Sequence, residues 1–336
     1  MVSIAAGAEG EGDVLSLRPS MSKFDSSHQH TLDIASTFNR PLPCYLNRPL
    51  IKILEDLGIP AQHFVDLQRT ASARIEEAKK TFLGAATLLD SSGLGGPAKV
   101  ATLFRRIKKA TGIELHSYGE ARGAGGASGG GDEFLEAAVE LAVINELRNL
   151  KFKGRIFLPL SYVLVGVADE AHYLKEGEVY AAVKRSGKAT VYLEGLISIS
   201  RSPCVHPGDL QVVRAVGKLP PGVAPRLSAL VNCVAFSMKG ARFVLRIPAT
   251  MMLIRVRCTG DRSLPSFLGG GDLDGDIYSL IVEEQLLPPR THEPAPYTES
   301  KKKMIDRPCV IEDGIDFFLE CEILPAQFLL SLIFGS

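Results

Sequence analysis

Gly269-Gly-Gly-Asp-Leu-Asp-Gly-Asp-Ile-Tyr278 is the stretch on which the reading of this sequence turns. Asp272, Asp274 and Asp276 alternate with other residues. On an extended strand all three would share one face; on a tight loop they converge on one point. Two carboxylates about 4 Å apart repel by about 4 kcal/mol at an effective dielectric of 20, so three converging ones need cations. Oxygen ligands at this spacing suit magnesium, which keeps some of its waters and binds substrate phosphates, with manganese as the alternative. The glycines at 269–271 let a bulky substrate approach the backbone.

Four chemistries use such a cluster. An EF-hand places carboxylates at positions 1, 3 and 5, and Glu283 falls at position 12, but Ile277 stands where that loop requires glycine. A phosphatase with an aspartyl nucleophile wants a buried apolar strand before the first aspartate, and here a glycine triplet precedes it. A solvated acidic turn is the bland reading of a five-residue match. The fourth is a metal-dependent nucleotidyl transferase.

Composition narrows the class. The 336 residues are 46% hydrophobic and 23% charged, the balance of a globular chain. At roughly 150 residues per domain the length suggests about two domains. Lys+Arg and Asp+Glu number 38 each, so any contact to nucleic acid must come from a local basic patch. No pair of the six cysteines has CxxC spacing, which argues against a zinc ribbon. Met1 to Asp13 has neither a basic start nor an apolar core, so no signal peptide is expected. The longest apolar stretch, Ile323 to Phe334, is shorter than the ~20 residues a membrane span needs. Reduced cysteines in the nucleus or cytoplasm, with no membrane contact, are the expectation.

Two textures divide the chain near residue 150. Before it, helical spacing runs through 32–38, 50–57, 60–89, 100–111 and 134–150, with a flexible Gly-rich linker at 123–131. After it, short β-branched segments at 155–158, 162–167, 179–183, 190–193 and 211–216 alternate with turn signals such as Lys175-Glu-Gly177 and Pro207-Gly208. Strands at this spacing without intervening helices predict a barrel or sandwich.

Read together with Arg201-Ser-Pro-Cys-Val-His-Pro-Gly-Asp209 and Leu164-Val-Gly-Val-Ala-Asp169, the aspartate segment resembles the eukaryotic RNA-dependent RNA polymerases of RNA silencing, close to their fungal branch. Asp261-Arg-Ser-Leu-Pro-Ser-Phe-Leu-Gly-Gly-Gly-Asp-Leu-Asp-Gly-Asp276 looks like that branch's signature. Leu17-Arg-Pro-Ser-Met-Ser-Lys-Phe24, Tyr45-Leu-Asn-Arg-Pro-Leu-Ile-Lys-Ile-Leu-Glu55 and Tyr173-Leu-Lys-Glu-Gly-Glu178 extend the resemblance over about residues 15 to 300.

The resemblance implies an α+β fold. A helical neck and connector over residues 1–150 would precede a double-psi β-barrel over 151–300 that carries the aspartate loop, with a truncated helical segment over 301–336. It implies that Asp272, Asp274 and Asp276 are catalytic and hold magnesium, or manganese. Arg201, His206 and Lys239 would contact nucleotide or RNA. His206 reads equally as a loop histidine and Lys239 as a solvated lysine. Lys151, Lys153, Arg155 and the Arg105-Arg-Ile-Lys-Lys109 cluster would track RNA phosphates, or form a solvated face. Cys204 has no base beside it and reads as packing. The implied activity is template-directed RNA synthesis from nucleoside triphosphates on single-stranded RNA, making double-stranded RNA for gene silencing alongside other silencing proteins. A catalytically inactive RNA-binding remnant is the alternative, and a calcium-preferring structural domain the third reading.

Two departures from the family pattern accompany it. The upstream barrel that supplies basic residues to the family's site is not in this sequence, so a partial catalytic core is expected, poor at synthesis on its own. Residues 241–260, apolar and basic without turn chemistry, separate Gly240 from Asp261, which the fungal pattern keeps almost contiguous. They have the composition of a retained intron or of a true insertion.

Overall fold

The computed structural model describes residues 2–5, 14–17, 37–92, 99–112, 133–185, 187–238, 262–296, 307, 310–316 and 319. Lys239, the Gly-rich stretch 123–131, the interruption 241–260 and most of the expected helix at 32–38 lie outside the described residues. The chain divides into two units, Met1–Pro296 and Tyr297–Ser336. In the second, a short helix occupies 311–316. Arg307 meets Asp313 through two parallel bonds of 2.7 and 2.6 Å, Nη1 to Oδ2 and Nη2 to Oδ1. That guanidinium, together with the Val310 N–H, lowers the Asp313 pKa.

The first unit opens with a two-stranded antiparallel ribbon, β1 (Val2–Ala5) with β2 (Val14–Leu17), which the helical spacing does not announce. Strand β3 (Leu42–Leu46) leads into α1 (Arg48–Asp56). Asn47 caps this helix by accepting the Leu50 N–H, and Pro49 sits in its first turn, where no donor is missed. The helical pattern over 60–89 runs as two helices, α2 (Ala61–Ala78) and α3 (Phe82–Ser92). The break has a local cause. Thr81 Oγ1 accepts the Gly84 N–H at 3.0 Å, and a Cβ on Gly84 would collide with the Ala78 backbone. α4 (Val100–Thr111) ends at Gly112 with φ +68°, and α5 (Glu133–Lys153) closes the helical layer. Phe82 and Phe104 pack edge to face at 5.7 Å and hold α3 on α4.

Strands follow: β4 (Ile156–Ala168), β5 (Glu178–Val183), β6 (Val191–Tyr192), β7 (Glu194–Arg201), β8 (Leu210–Val216), β9 (Cys233–Phe236) and β10 (Ile277–Ile281). Short helices α6 (Pro225–Ser228) and α7 (Leu264–Phe267) lie between them. The segments expected at 155–158 and 162–167 are one strand, because Pro159 and Ser161 do not interrupt the extended backbone. Hydrogen bonding runs β10–β7–β8–β5–β9–β4–β3, and β10 also pairs with β4. Six strands therefore form a closed circuit of pairing. β4–β9 and β5–β8 are parallel and the other pairs antiparallel. The fold is α+β.

Two apolar clusters serve the sheet and one joins it to the helices. Ile197, Val213, Val234, Phe236, Tyr278 and Leu280 belong to one cluster, and Val167, Tyr180 and Ala235 to another. The third collects Leu54, Phe64, Phe82, Phe104 and Val139 from the helices with Leu46 and Leu158 from β3 and β4. No helix among the described residues is long and apolar enough to cross a membrane.

Cys44, Cys204 and Cys233 are buried and form no disulfide. Burial pushes Cys44 and Cys204 from 9.0 up to about 12. The folded chain therefore holds both protons where the unfolded chain has lost them. Stability contributed by these thiols is intact below pH 9 and is lost as pH climbs from 9 toward 12. Denaturant unfolding between pH 8 and 11 is expected to show a midpoint that falls above pH 9, with a smaller fall in a Cys44→Ala, Cys204→Ala variant. A pH-independent midpoint across that window contradicts it.

Candidate functional site

The aspartates sit on a loop between α7 and β10, not on a strand. The Gly166 N–H of β4 donates to the Asp276 carbonyl at 2.9 Å, which fixes where β10 begins. From there Tyr278 pairs with Leu164 on one side and Arg201 on the other. Behind the loop, Arg262 anchors α7. Its Nη2 and Nη1 donate to the carbonyls of Ser266 and Ala295 at 2.6 and 3.0 Å, and its guanidinium lies over the Phe267 ring. Gly269 and Gly270 have φ of +62° and +73°, and Gly271 faces the Tyr278 hydroxyl where a Cβ would lie 2.5 Å from it. A glycine triplet is what this turn requires.

The loop brings one ligand oxygen from each of Asp272, Asp274 and Asp276 within 4.8 Å of the others. Two oxygens on opposite sides of a magnesium ion at ~2.1 Å stand about 4.2 Å apart. The donor set, all carboxylate, and its spacing therefore fit a divalent hard cation. The three are unequal in exposure: Asp272 and Asp274 face solvent, while the Asp276 side chain is 9% exposed. Leu273 turns inward against the core cluster of Tyr278 and Phe236 with φ +65°, a left-handed conformation that costs a non-glycine residue about 1 kcal/mol or more.

Asp276 is held from three directions. Arg201 Nε reaches Oδ1 at 2.6 Å, the Asp272 N–H donates to Oδ2 at 3.0 Å, and the Tyr278 hydroxyl lies 3.5 Å from Oδ2. Arg201 Nη1 also donates to the Gly269 carbonyl at 3.1 Å. One guanidinium thus joins both ends of the aspartate loop. Burial, and then the Asp276 carboxylate, push the Tyr278 hydroxyl well above its ordinary pKa, so it stays a neutral donor.

The expected site residues separate at this point. Arg201 is on the triad. His206 shapes its own turn: its Nδ1 accepts the Gly208 N–H, its N–H donates to Asp209 Oδ2, and its ring meets that of His292 edge-on at 5.0 Å. Among the described residues it makes no hydrogen bond to the aspartates. Lys239 lies outside the described residues. Cys204 is buried, in keeping with packing. Of the basic residues, Arg155 turns onto the Tyr45 ring at 3.9 Å and toward Glu146 at 3.6 Å, and Arg105 pairs with Asp90. Those two cations have partners within the fold. A cavity of about 680 Å³ among α2, α3, α5, β3 and β4 is lined by Arg155 but by none of the aspartates, Arg201 or His206.

Tyr278, Gly166 and Arg262 fall within the quoted segments, but nothing local in the sequence gives their packing roles. A Cβ on Gly166 would collide with the Tyr278 ring and lie 2.7 Å from Leu273 Cδ2. Gly166→Ala is therefore expected to destabilise the fold by about 1–3 kcal/mol through overpacking. Urea unfolding checks this, with Gly187→Ala as the comparison, where φ is +70° but no neighbour lies within 4 Å. A Gly166→Ala midpoint equal to the parent's refutes the contact.

The family model described as RNA dependent RNA polymerase matches residues 1–324. The chain is 30% identical over 307 residues to RNA-dependent RNA polymerase 1 of Arabidopsis thaliana, an alignment covering 90% of this chain and 24% of that protein. It is 28% identical over 315 residues to RNA-dependent RNA polymerase 1 of Schizosaccharomyces pombe, covering 88% and 22%. Among solved structures, RNA dependent RNA polymerase QDE-1 from Thielavia terrestris shares the fold with TM-score 0.51 at 20% identity, over 90% of this chain and 31% of that one. The chain spans about a quarter of the length of the curated relatives it matches. Sequence, fold and aspartate loop agree, and the chain belongs to the RNA-dependent RNA polymerase family.

Proposed function

We propose that this chain carries the metal-binding half of the active site of an RNA-dependent RNA polymerase that copies single-stranded RNA from nucleoside triphosphates. The observation that carries the reading is the convergence of three carboxylates within 4.8 Å on a loop braced at both ends. The relatives named as RNA-dependent RNA polymerases support the reaction type. We read the closed circuit of six strands, with its two parallel pairs, as the double-psi β-barrel of that family, and the helices before residue 150 as the neck and connector.

In this reading Asp272 and Asp274 offer the exposed ligand positions and Asp276 the anchored, less exposed one. Magnesium or manganese, when bound, makes the 3′-hydroxyl more acidic and stabilises the leaving pyrophosphate. The chain's own residues supply position and charge, as is usual in phosphoryl transfer. Gly270, whose backbone is exposed, lets the substrate approach the loop closely. Arg201 has guanidinium donors beyond those it uses within the fold, suited to ribose hydroxyls or phosphate. His206 would meet RNA through Nε2, since Nδ1 is held by Gly208. By the family resemblance Lys239 would contact the nucleotide phosphates. Double-stranded product, entry into RNA silencing and partners among silencing proteins follow from the family.

Two measurements test the proposal. Manganese titration of the chain is expected to show binding that Asp274→Ala abolishes, with an unchanged far-ultraviolet spectrum. In protein that joins this chain to the basic upstream part of the site, RNA synthesis on single-stranded template with magnesium and four nucleotides is expected, and Asp274→Ala should lower it by on the order of 10³-fold. Metal binding equal in the parent and Asp274→Ala rejects the assignment. Metal binding without any template-dependent synthesis favours the RNA-binding remnant.

A further inference from the structure

The aspartate loop is asymmetric in a way that bears on the order of events at the site. Both oxygens of Asp276 are already engaged by the protein, Oδ1 in an ion pair and Oδ2 as an acceptor. Oδ1 meets Arg201 Nε at 2.6 Å, and Oδ2 meets the Asp272 N–H and the Tyr278 hydroxyl. A carboxylate oxygen held by a guanidinium at that distance presents a positive charge to any cation that approaches it. Asp272 and Asp274 are exposed, and the Arg201 contacts described above go to neither of them. A divalent cation can therefore meet these two first and reach Asp276 only against Arg201.

Arg201 has the means to yield. It is the last residue of β7, its side chain is 24% exposed, and its second contact, to the Gly269 carbonyl, is neutral and 3.1 Å long. Asp276 does not: the Asp272 N–H, Tyr278 and the start of β10 hold it where it is. When the two separate, the guanidinium moves and the carboxylate stays.

We propose that Arg201 is a positioning residue that links metal and nucleotide. It neutralises Asp276 while the triad carries no cation, and it is released toward the nucleotide when a divalent cation takes Asp276 Oδ1. The proposal rests on the triad being the metal site, and adds to it that Arg201 and the cation compete for one oxygen. It explains why an arginine with a nucleotide-facing role is found bonded to a carboxylate and to the loop that bears it. Nucleotide capture by Arg201 is conditional on metal, so a triphosphate arriving without its cation meets an arginine already engaged.

The competition makes two affinities move in opposite directions. Measured on the full chain with Mn²⁺ alone, by the electron paramagnetic resonance of free Mn²⁺, Arg201→Gln is expected to bind Mn²⁺ on the order of tenfold more tightly than the parent, because the adjacent positive charge is gone. With Mn²⁺ saturating, the same variant is expected to bind GTP on the order of tenfold more weakly, for want of the guanidinium. Arg201→Lys, which keeps the charge, should leave Mn²⁺ affinity within about threefold of the parent. An arginine that only braces the loop predicts weaker Mn²⁺ binding in Arg201→Gln, and one that only binds nucleotide predicts unchanged Mn²⁺ binding. Either result overturns the proposal. Asp274→Asn tests the underlying reading separately, since Mn²⁺ binding undiminished by that change means the triad is not the metal site. Should Arg201→Gln fail to fold, the parent answers alone: saturating Mg²⁺ should move the Arg201 Nε–H resonance, assigned by its loss in Arg201→Lys, and an unmoved resonance rejects the exchange.

Discussion

Gly166 and Tyr278 meet where no Cβ fits, and the placement of the aspartate loop depends on that contact. The Tyr278 ring, fully buried and packed against Phe236 at 4.7 Å, lies across the glycine of β4. This brings β10 close enough to pair with β4 on one edge while it pairs with β7 on the other. With both edges of β10 committed, its first residues have no freedom to slide, because a shift of one residue would turn Tyr278 away from the core. The loop before it is fixed as a result. Asp276 emerges one residue before the strand with its carbonyl already bonded to Gly166.

The loop is acidic outside and apolar inside. Leu273 enters the core cluster between two exposed aspartates, and its left-handed backbone reverses the chain so that Asp272 and Asp274 return toward Asp276. Burial of one leucine, worth about 1.5–3 kcal/mol when complete, works against the mutual repulsion of three carboxylates. Arg201 removes part of that repulsion by pairing with the most buried of the three. The alternation of aspartate with leucine and glycine is thus a requirement of packing as well as of ligation.

Much of this was legible in the residues. The helix over 100–111 shows in its spacing, as does the strand at 211–216. The carboxylate cluster shows because its chemistry is local. What stayed hidden is long-range. β3 carries Pro43 at a shift in its pairing register, and proline argues against a strand. β7 begins with Glu194-Gly195, which reads as a turn until the partners on both of its sides are known. The break between α2 and α3 depends on Gly84 lying against Ala78, a contact that periodicity does not encode. Arg201 and Asp276 are remote in sequence, so only the resemblance to a family placed them together.

The order in which the chain is synthesised gives the closed circuit a further consequence. β4 and β7 are complete by residue 201, yet the strand that fits between them begins at residue 277. Until it is made, a growing chain carries two apolar strand edges with unpaired N–H and C=O groups, open to each other or to a neighbouring chain. Closure also spans more than a hundred residues back to β4, which favours slow folding late in translation. The aspartates leave the ribosome immediately before the strand that positions them, so the acidic loop acquires its shape in the step that closes the sheet.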